Sequence, residues 1–228
     1  MSLTEEAIDK IKEMIVSGAL KPGDRMPKEA DLALRLGLSR NSLREAVSAL
    51  SLIRVLDVRQ GDGTYVTSLE PSLLLDAMRF IVDFHRDDSM LQMFEARRAI
   101  EPAVAAIAAE RMTAEEVAGL RALIDDVPLT SPPEDFVRND LEFHRRIAAG
   151  TGNSVLCSIV ESVSAPTVRA RVWRARIQQA ALDRTLAEHR TICDAIAAHN
   201  AQIAASAMAV HISGVEEWLK TELRPATA

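Results

Sequence analysis

The chain has 228 residues, a formal net charge of −6, and apolar residues at 48% of its positions. This length fits one or two domains with a hydrophobic core, and the acidic balance excludes a uniformly basic nucleic-acid-binding protein. No stretch approaches the roughly 20 apolar residues of a membrane span. The polar N-terminus also lacks the pattern of a signal peptide. We therefore expect a cytoplasmic protein with no membrane partner.

The first informative pattern runs from Leu32 to Val66. It predicts a helix, a tight turn at Gly37, and a second helix that begins after Ser39, which is a favourable N-cap residue. The apolar positions of the second helix follow helical spacing and should face a core. They are Leu43, Val47 and Leu50.

Two short β-branched segments follow the second helix, at Val55–Arg59 and Thr64–Val66. The intervening Gln60-Gly61-Asp62-Gly63 is typical of a hairpin turn. Helix, turn, helix and hairpin together predict a winged helix-turn-helix in residues 1–68, an α+β domain.

The polar face of the second helix indicates what this domain binds. Arg40, Asn41 and Arg44 lie in its first turns, opposite the apolar positions. Arginine and amide side chains at this end of a helix can contact base edges in the major groove of DNA. A solvated helix face is the alternative, but the accompanying turn, cap and wing favour DNA binding.

The rest of the chain predicts a second domain, an all-α helical bundle at residues 72–228, after a linker near Thr67–Ser72. The whole chain is therefore mainly α. Helices are expected at about 71–84, 89–110, 114–125, 133–150, 153–178, 180–198 and 201–223. Pro166 should kink the helix at 153–178, because proline disrupts the hydrogen bonds of a helix interior.

One group of residues in this bundle suggests a metal site. Asp140 and His144 are four residues apart and project from the same helix face. His189 and His211 stand at similar distances on either side of a turn near Asn200, so two antiparallel helices can bring them together. Each histidine alone would more often be a buried hydrogen-bonding residue. Three imidazoles and one carboxylate in register, however, are a ligand set for a divalent metal.

The ligand set leaves two roles for the metal open. Four protein ligands would complete a tetrahedral, purely structural zinc site. The same ligands suit an ion with five or six ligands, which leaves positions for water or a small carboxylate. Zinc is the expected ion, with nickel and manganese as alternatives.

Residues Leu3 to Val66 resemble the N-terminal domain of the GntR family of bacterial transcription regulators. The matching segments are Ile15–Pro27, Leu32–Leu50 and Arg59–Val66. The resemblance implies DNA contacts from the recognition helix, from the residues at the start of the preceding helix, and from the wing. These residues are Ser39, Arg40, Asn41, Ser42 and Arg44, then Lys28 and Glu29, and finally Gln60 and Gly61.

The segment from about Leu75 to Leu223 resembles the FCD effector-binding bundle of FadR-type regulators. In its metal-binding branch, an aspartate precedes a histidine by four positions, and two further histidines follow about 22 apart. Asp140, His144, His189 and His211 match these positions. The resemblance implies a metal-bound small carboxylate or hydroxy acid as effector, with Arg97 as a partner for its carboxylate. It places the chain in the FadR subfamily.

Together these patterns predict a bacterial DNA-binding transcription regulator, most often a repressor in this family. One winged helix makes few base contacts, so we expect a homodimer on a pseudo-palindromic operator of double-stranded DNA. Two alternatives are a regulator that binds an acyl thioester and uses the metal only structurally, and a metal-dependent enzyme. The enzyme is disfavoured because no HExxH motif or adjacent general base accompanies the histidines.

Overall fold

The computed structural model describes residues 2–69, 88–128 and 130–223, and the chain divides into two units, Met1–Leu74 and Leu75–Ala228. The first unit combines three helices with a two-stranded sheet, and the described part of the second is entirely helical. The predicted fold class, a winged helix-turn-helix followed by an all-helical bundle, is confirmed.

The N-terminal unit follows the predicted order of elements. Its elements are α1 (Leu3–Val16), α2 (Glu29–Leu36), α3 (Arg40–Leu52), β1 (Leu56–Arg59) and β2 (Gly63–Val66). The strands pair in antiparallel register, with Leu56 opposite Val66 and Arg59 opposite Gly63. Gly37 ends α2 at φ 65°, in the left-handed region that glycine adopts without strain.

The core of this unit forms between α1, α2, α3 and the sheet. Leu43, Val47 and Leu50 are buried, as the spacing predicted. They pack with residues from the other elements, namely Ala7, Ile11, Leu20, Met26, Leu32, Ala33, Ala46, Leu56 and Val66. Because one face of α3 is anchored in this core, the opposite face is left to solvent.

The C-terminal unit contains seven described helices and one 3₁₀ turn. They are α4 (Asp88–Arg111), α5 (Ala114–Asp125), α6 (Pro133–Ala149), α7 (Ser154–Ser164), the 3₁₀ turn Ala165–Thr167, α8 (Val168–Ile177), α9 (Gln179–Ala197) and α10 (Ala201–Glu222). Six of the predicted helical segments correspond to these elements. The helix predicted at 71–84 lies outside the described residues.

The helix predicted at 153–178 is broken rather than kinked. Pro166 lies in the 3₁₀ turn Ala165–Thr167, and α7 and α8 are separate helices on either side of it. Proline has no N–H to donate and its ring clashes with the carbonyl four residues earlier. The α-helical hydrogen bonds therefore give way to a tighter turn at this point.

The bundle packs around α4 and α10, which make its most extensive helix-to-helix contact. Buried alanines on both helices allow this close approach, among them Ala105, Ala108 and Ala204. Phe94 and Phe143 are fully buried in the same core. Helices α6, α9 and α10 thereby surround the interior positions of the predicted metal ligands. Within the described ranges, none of the helices combines the length and apolarity that crossing a membrane would need.

The start of α5 gives a test of local stability. Thr113 caps this helix by accepting a hydrogen bond from the Glu116 N–H, and the Glu116 carboxylate accepts one from the Thr113 N–H. Thr113→Ala removes the cap oxygen and should lower the free energy of unfolding by about 0.5–2 kcal/mol. Thr113→Ser keeps the oxygen and should lose much less. Urea unfolding followed by circular dichroism checks this, and equal stability of the alanine variant and wild type would contradict it.

Candidate DNA-binding surface and metal centre

The exposed end of α3 carries the predicted recognition residues. The Ser39 hydroxyl caps the helix, accepting a hydrogen bond of 3.0 Å from the Ser42 N–H. Arg40, Asn41 and Arg44 are exposed on the face opposite the buried Leu43. Their guanidinium and amide groups are therefore available to a molecule that approaches the start of this helix.

Ser42 differs from the other predicted DNA-binding residues because it is buried. Its hydroxyl lies 2.8 Å from the Ser39 hydroxyl, inside the cap of α3. The Ser42 side chain is therefore part of the N-terminal cap of α3 in this structure. Arg44 is also engaged, since its guanidinium lies 3.5 Å from the Glu29 carboxylate at the start of α2. This pair is exposed, so it holds Arg44 only weakly.

The remaining predicted DNA-binding residues are Lys28 before α2, and Gln60 and Gly61 in the wing, all of them exposed. Gly61 has φ 79°, which favours glycine at the hairpin turn. Contacts within the wing hold its tip in shape. The Tyr65 hydroxyl donates to Asp62 at 2.9 Å, and the guanidinium of Arg59 lies 4.2 Å from the centre of the Tyr65 ring.

The second candidate site brings together Asp140, His144, His189 and His211. One possible ligand atom from each residue lies within 4.8 Å of all the others, and all four side chains are buried. The Nε2 atoms of His144 and His211 are 3.2 Å apart, and His189 Nε2 lies 3.0 Å from Asp140 Oδ1. A tetrahedral ion bound at about 2.1 Å separates its ligand atoms by roughly 3.4 Å, so the group has the right size for a metal.

Local structure explains why these four residues meet. Asp140 and His144 are separated by one helical turn of α6, on its buried face. His189 on α9 and His211 on α10 are connected by a turn in which His199 adopts φ 52° and Asn200 caps α10. Their rings come within 4.8 Å, centre to centre. The predicted convergence of the two sequence segments is therefore observed.

Protein groups behind the ligands orient them. The other carboxylate oxygen of Asp140 accepts a hydrogen bond from Arg171, which leaves Oδ1 facing the histidines. His211 Nδ1 lies 2.9 Å from Glu188, and His144 Nδ1 lies 2.5 Å from Glu101. The Nε2 atoms of both rings are thereby turned toward the centre of the group.

The electrostatics of the group favour metal-binding protonation states for His189, His211 and Asp140. Burial lowers the pKa of His189 to about 4, and it also lowers the pKa of His211. Both rings are therefore neutral near pH 7, the form in which imidazole binds a metal. Burial acts to raise the pKa of Asp140, but the Arg171 guanidinium together with His144 and His189 outweighs it and holds that pKa well below its usual value.

The pKa of His144 moves the other way. Burial acts to lower it, but the Glu101 carboxylate more than compensates, so the pKa of His144 is raised. The same contact and the Arg97 guanidinium lower the pKa of Glu101 against the effect of burial. Positive and negative groups thus alternate through this buried region, which limits the cost of removing each charge from water.

The chemistry of the donor set also fits a cation. Neither ring nitrogen of His189 makes a hydrogen bond to any part of the chain that the structure describes, although both are buried. Its Nε2 is close to Asp140 but not in hydrogen-bonding orientation. Buried polar atoms are almost always paired. A divalent ion bound by Asp140 and the three Nε2 atoms would give His189 Nε2 a partner.

A small cavity of about 20 Å³ adjoins the group, and Asp140 and His211 form part of its wall. Three arginines line it as well: Arg97, Arg171 and Arg174. The rest of the wall is mostly apolar and includes Phe136, Val137, Leu182, Ile212 and Val215. The wall of this cavity therefore brings a guanidinium and two of the metal ligands side by side.

The predicted Arg97 lines this cavity, but Arg171 and Arg174 were not selected from the sequence. They belong to a run of four arginines in which Arg169 and Arg176 are exposed. Helical spacing could have predicted their burial, because Arg171 and Arg174 share a helix face with the buried Ala170 and Ala175. A basic run on a helix is ordinarily a solvated face, and this one is solvated on only one side.

Comparison with known proteins supports this division of the chain. The family model of bacterial regulatory proteins of the gntR family matches residues 3–66, and the FCD domain model matches residues 92–214. A solved structure of a GntR protein from Streptococcus agalactiae aligns with a TM-score of 0.72 at 27% identity. The alignment covers 94% of this chain and 99% of the Streptococcus agalactiae chain.

Two relatives from Escherichia coli (strain K12) match nearly the full length. One, named as a regulatory protein of the L-lactate dehydrogenase operon, is 30% identical over 226 residues, 96% of this chain and 86% of the relative. The other, named galactonate operon transcriptional repressor, is 26% identical over 226 residues, 96% of this chain and 98% of the relative.

The fold and the two sites define a DNA-binding transcription regulator with an FCD domain. The chain belongs to the GntR family of bacterial regulatory proteins. The predicted class, a regulator rather than an enzyme, is confirmed by these relatives. Its finer placement in the FadR subfamily stays a prediction.

The position of α3 predicts how DNA binding responds to mutation. Arg40→Ala and Arg44→Ala should each weaken binding to a selected operator by about 1–3 kcal/mol, the typical cost of losing an arginine that contacts a base. Exposed Arg121 on α5 provides a control that removes the same charge from the other unit. The operator is first selected from random duplexes with wild-type protein, and affinities are then measured by fluorescence anisotropy. Native affinity in the double variant would contradict the placement of the recognition helix.

The buried ligand group predicts metal content. His189→Ala, His211→Ala and Asp140→Ala each remove one ligand and should lower the zinc bound per chain. His199→Ala is the matched control, because the His199 ring hydrogen-bonds to the Ala109 carbonyl outside the group. Elemental analysis of the purified variants after zinc loading and dialysis measures the difference. Equal zinc content in all four would remove the site from consideration.

Proposed function

We propose that this chain is a cytoplasmic repressor whose C-terminal unit binds a divalent metal ion, zinc by preference, together with a small hydroxycarboxylate effector. Effector binding weakens the hold of the winged helix-turn-helix on its operator. The observation that carries the proposal is that the Asp140, His144, His189 and His211 group opens on a cavity lined by arginines.

The four residues would hold the metal through the Asp140 carboxylate and three imidazole nitrogens. A bound divalent ion supplies a Lewis acid that accepts carboxylate and hydroxyl oxygens at positions the protein leaves free. The surrounding apolar wall excludes water, which strengthens the attraction between the ligand and nearby positive groups. The arginines that line the adjoining cavity support an ion with a free position over a site closed by four protein ligands.

Arg97 is suited to bind the carboxylate of the effector. Its Nε–H donates to Glu101 at 2.6 Å, but its Nη1 and Nη2 make only long contacts of 3.5 Å to Thr167 and Glu101, and one of 3.2 Å to His144. Contacts of 3.5 Å are weak, so these donors can turn to a better acceptor. Arg171, by contrast, already donates from all three nitrogens to Asp140, Thr167 and Ser164.

The names of the relatives favour a 2-hydroxycarboxylate as effector. Lactate and galactonate both carry a hydroxyl group on the carbon next to the carboxylate, so both can chelate a metal through two oxygens. The proposed cavity provides the matching groups, since a metal site and the Arg97 guanidinium lie at the same wall. The relatives and the chemistry of the cavity both support this effector class.

DNA recognition requires a homodimer. The exposed face of one α3 contacts only a few base pairs, and regulators of this kind reach operator specificity by pairing two such helices on a pseudo-palindrome. The base and phosphate contacts would come from the exposed predicted residues, which are Lys28, Glu29, Ser39, Arg40, Asn41, Arg44, Gln60 and Gly61. The effector alters affinity only if it binds one arrangement of the dimer better than another.

The proposal predicts coupling between the two sites. With zinc bound, a 2-hydroxycarboxylate should raise the melting temperature, and the matched acid without the hydroxyl should do so far less. Lactate against propionate is the simplest such pair, and galactonate extends the series. The active compound should weaken operator binding by about 5- to 150-fold, a coupling of about 1–3 kcal/mol.

His144→Ala at saturating zinc provides the critical comparison. Operator affinity is measured with and without the active hydroxycarboxylate, for this variant and for His199→Ala. The effector response should persist in His199→Ala and vanish in His144→Ala. An equal response in both would show that the metal group is structural and that the signal enters elsewhere, for example through an acyl thioester.

A further inference from the structure

The three histidines of the metal group differ in what lies behind their rings. His211 Nδ1 faces the Glu188 carboxylate, and His144 Nδ1 faces the Glu101 carboxylate. His189 instead stacks its ring on Phe143, with centres 3.9 Å apart and planes inclined by 14°. Its Nδ1 has no hydrogen-bond partner within the described residues. Two of the three imidazoles are therefore backed by a carboxylate.

Glu188 connects two helices at this point. One carboxylate oxygen lies 2.9 Å from His211 Nδ1 on α10, and the other accepts a hydrogen bond of 3.0 Å from Arg184 one turn earlier on α9. Arg184 is largely exposed, whereas the Glu188 side chain is mostly buried.

The contact fixes which nitrogen of His211 carries the proton. An ionised carboxylate can only accept hydrogen bonds, so Nδ1 must be the donor. A neutral His211 then has its lone pair on Nε2, the nitrogen that lies 3.2 Å from His144 Nε2. Carboxylates that accept from the far nitrogen of a metal-binding histidine also orient the ring and make the other nitrogen a stronger donor.

We propose that Glu188 is a positioning residue for the metal: it holds His211 in the tautomer and orientation that present Nε2 to the ion, and so sets metal affinity. The Glu101 carboxylate lies 2.5 Å from His144 Nδ1 but is not in hydrogen-bonding orientation to it, so the proposal is restricted to Glu188. This inference rests on the metal binding proposed above. It adds one residue, on α9, to a site whose ligands lie on α6, α9 and α10.

Glu188 allows a cleaner test than Glu101. Glu101 is buried and paired with the buried Arg97, so its removal would leave an unpaired charge in the core and destabilise the bundle. Removing Glu188 leaves two groups without their partner, Arg184, which is exposed to water, and the Nδ1–H of His211. Glu188→Gln keeps an acceptor for the Nδ1–H of His211, and Glu188→Ala removes it. Glu217→Ala is the matched control, an exposed glutamate on α10 that pairs with Lys220.

The experiment measures zinc dissociation constants of the full chain by competition with a chromogenic chelator. Glu188→Ala should weaken zinc binding by about 10- to 100-fold, the usual effect of removing such a carboxylate. Glu188→Gln should lose less, and Glu217→Ala should bind as wild type does. The metal-free Glu188→Gln variant, which keeps an acceptor for the Nδ1–H, should melt close to wild type, and this separates positioning from a general loss of structure.

Other outcomes distinguish failure of the positioning role of Glu188 from failure of the proposed metal binding. If wild type binds zinc and Glu188→Ala binds it equally well, the role of Glu188 is overturned while the metal site stands. If Glu188→Gln and Glu188→Ala lose the same affinity together with the same metal-free stability, Glu188 is only a structural contact. If wild type binds no divalent ion, the proposed metal function fails and the role of Glu188 fails with it.

Discussion

The buried pair of Asp140 and Arg171 is the interaction on which the interior of the C-terminal unit depends. Both side chains are almost fully enclosed, and an unpaired charge in such a place would cost several kcal/mol. Because Arg171 takes one carboxylate oxygen, the other can face His144, His189 and His211 without Asp140 becoming protonated. Burial lowers the pKa of Arg171 to about 10, which still leaves it charged near neutral pH. Losing either partner of this pair would destabilise the fold by about 3–5 kcal/mol, and losing Asp140 would remove a metal ligand as well.

Around this pair, polar and charged groups form a connected network inside an otherwise apolar bundle. Arg97 and Glu101 on α4, His144 on α6 and the 3₁₀ turn all contribute to it. A fully paired network rigidifies a core, whereas a partly paired one is costly. The weakly engaged donors of Arg97 and the unpaired ring nitrogens of His144 and His189 are among its incomplete parts, and a ligand could supply some of the missing contacts.

Much of the fold could be predicted from sequence because it depends on local patterns. The Ser39 cap, the Gly37 turn and the apolar spacing of Leu43, Val47 and Leu50 specify the helix-turn-helix within 20 residues. Asp140 and the three histidines were also predictable, since helical spacing and a turn at Asn200 suffice to bring them together. The recognition residues were predictable as a set, but the burial of Ser42 depends on a hydroxyl contact inside the cap that spacing does not show.

The features that could not be predicted from the sequence depend on contacts between distant segments. Arg171 and Arg174 are buried because α8 packs against α6 and α9, and nothing within their own helix separates them from Arg169 and Arg176 except small neighbours. Glu101 and Glu188 lie 43 and 23 residues from the histidines that they face. Such pairings require the helix packing itself, since charged residues of this kind are common on solvated helix surfaces.

The break at Pro166 has a consequence for comparing relatives. In a continuous helix the Ser164 carbonyl would accept from the N–H of residue 168, but here it accepts from Arg171, and Val168 bonds to Ala165 instead. The turn also places the Thr167 hydroxyl against the same guanidinium. A homologous chain could therefore retain all four metal ligands and still lose the support of its aspartate, if its helix ran unbroken through this point. The four ligand residues alone are therefore an incomplete marker of a metal-binding relative. A helix-breaking residue some 26 positions after the aspartate, as Pro166 is after Asp140, belongs in the same sequence signature.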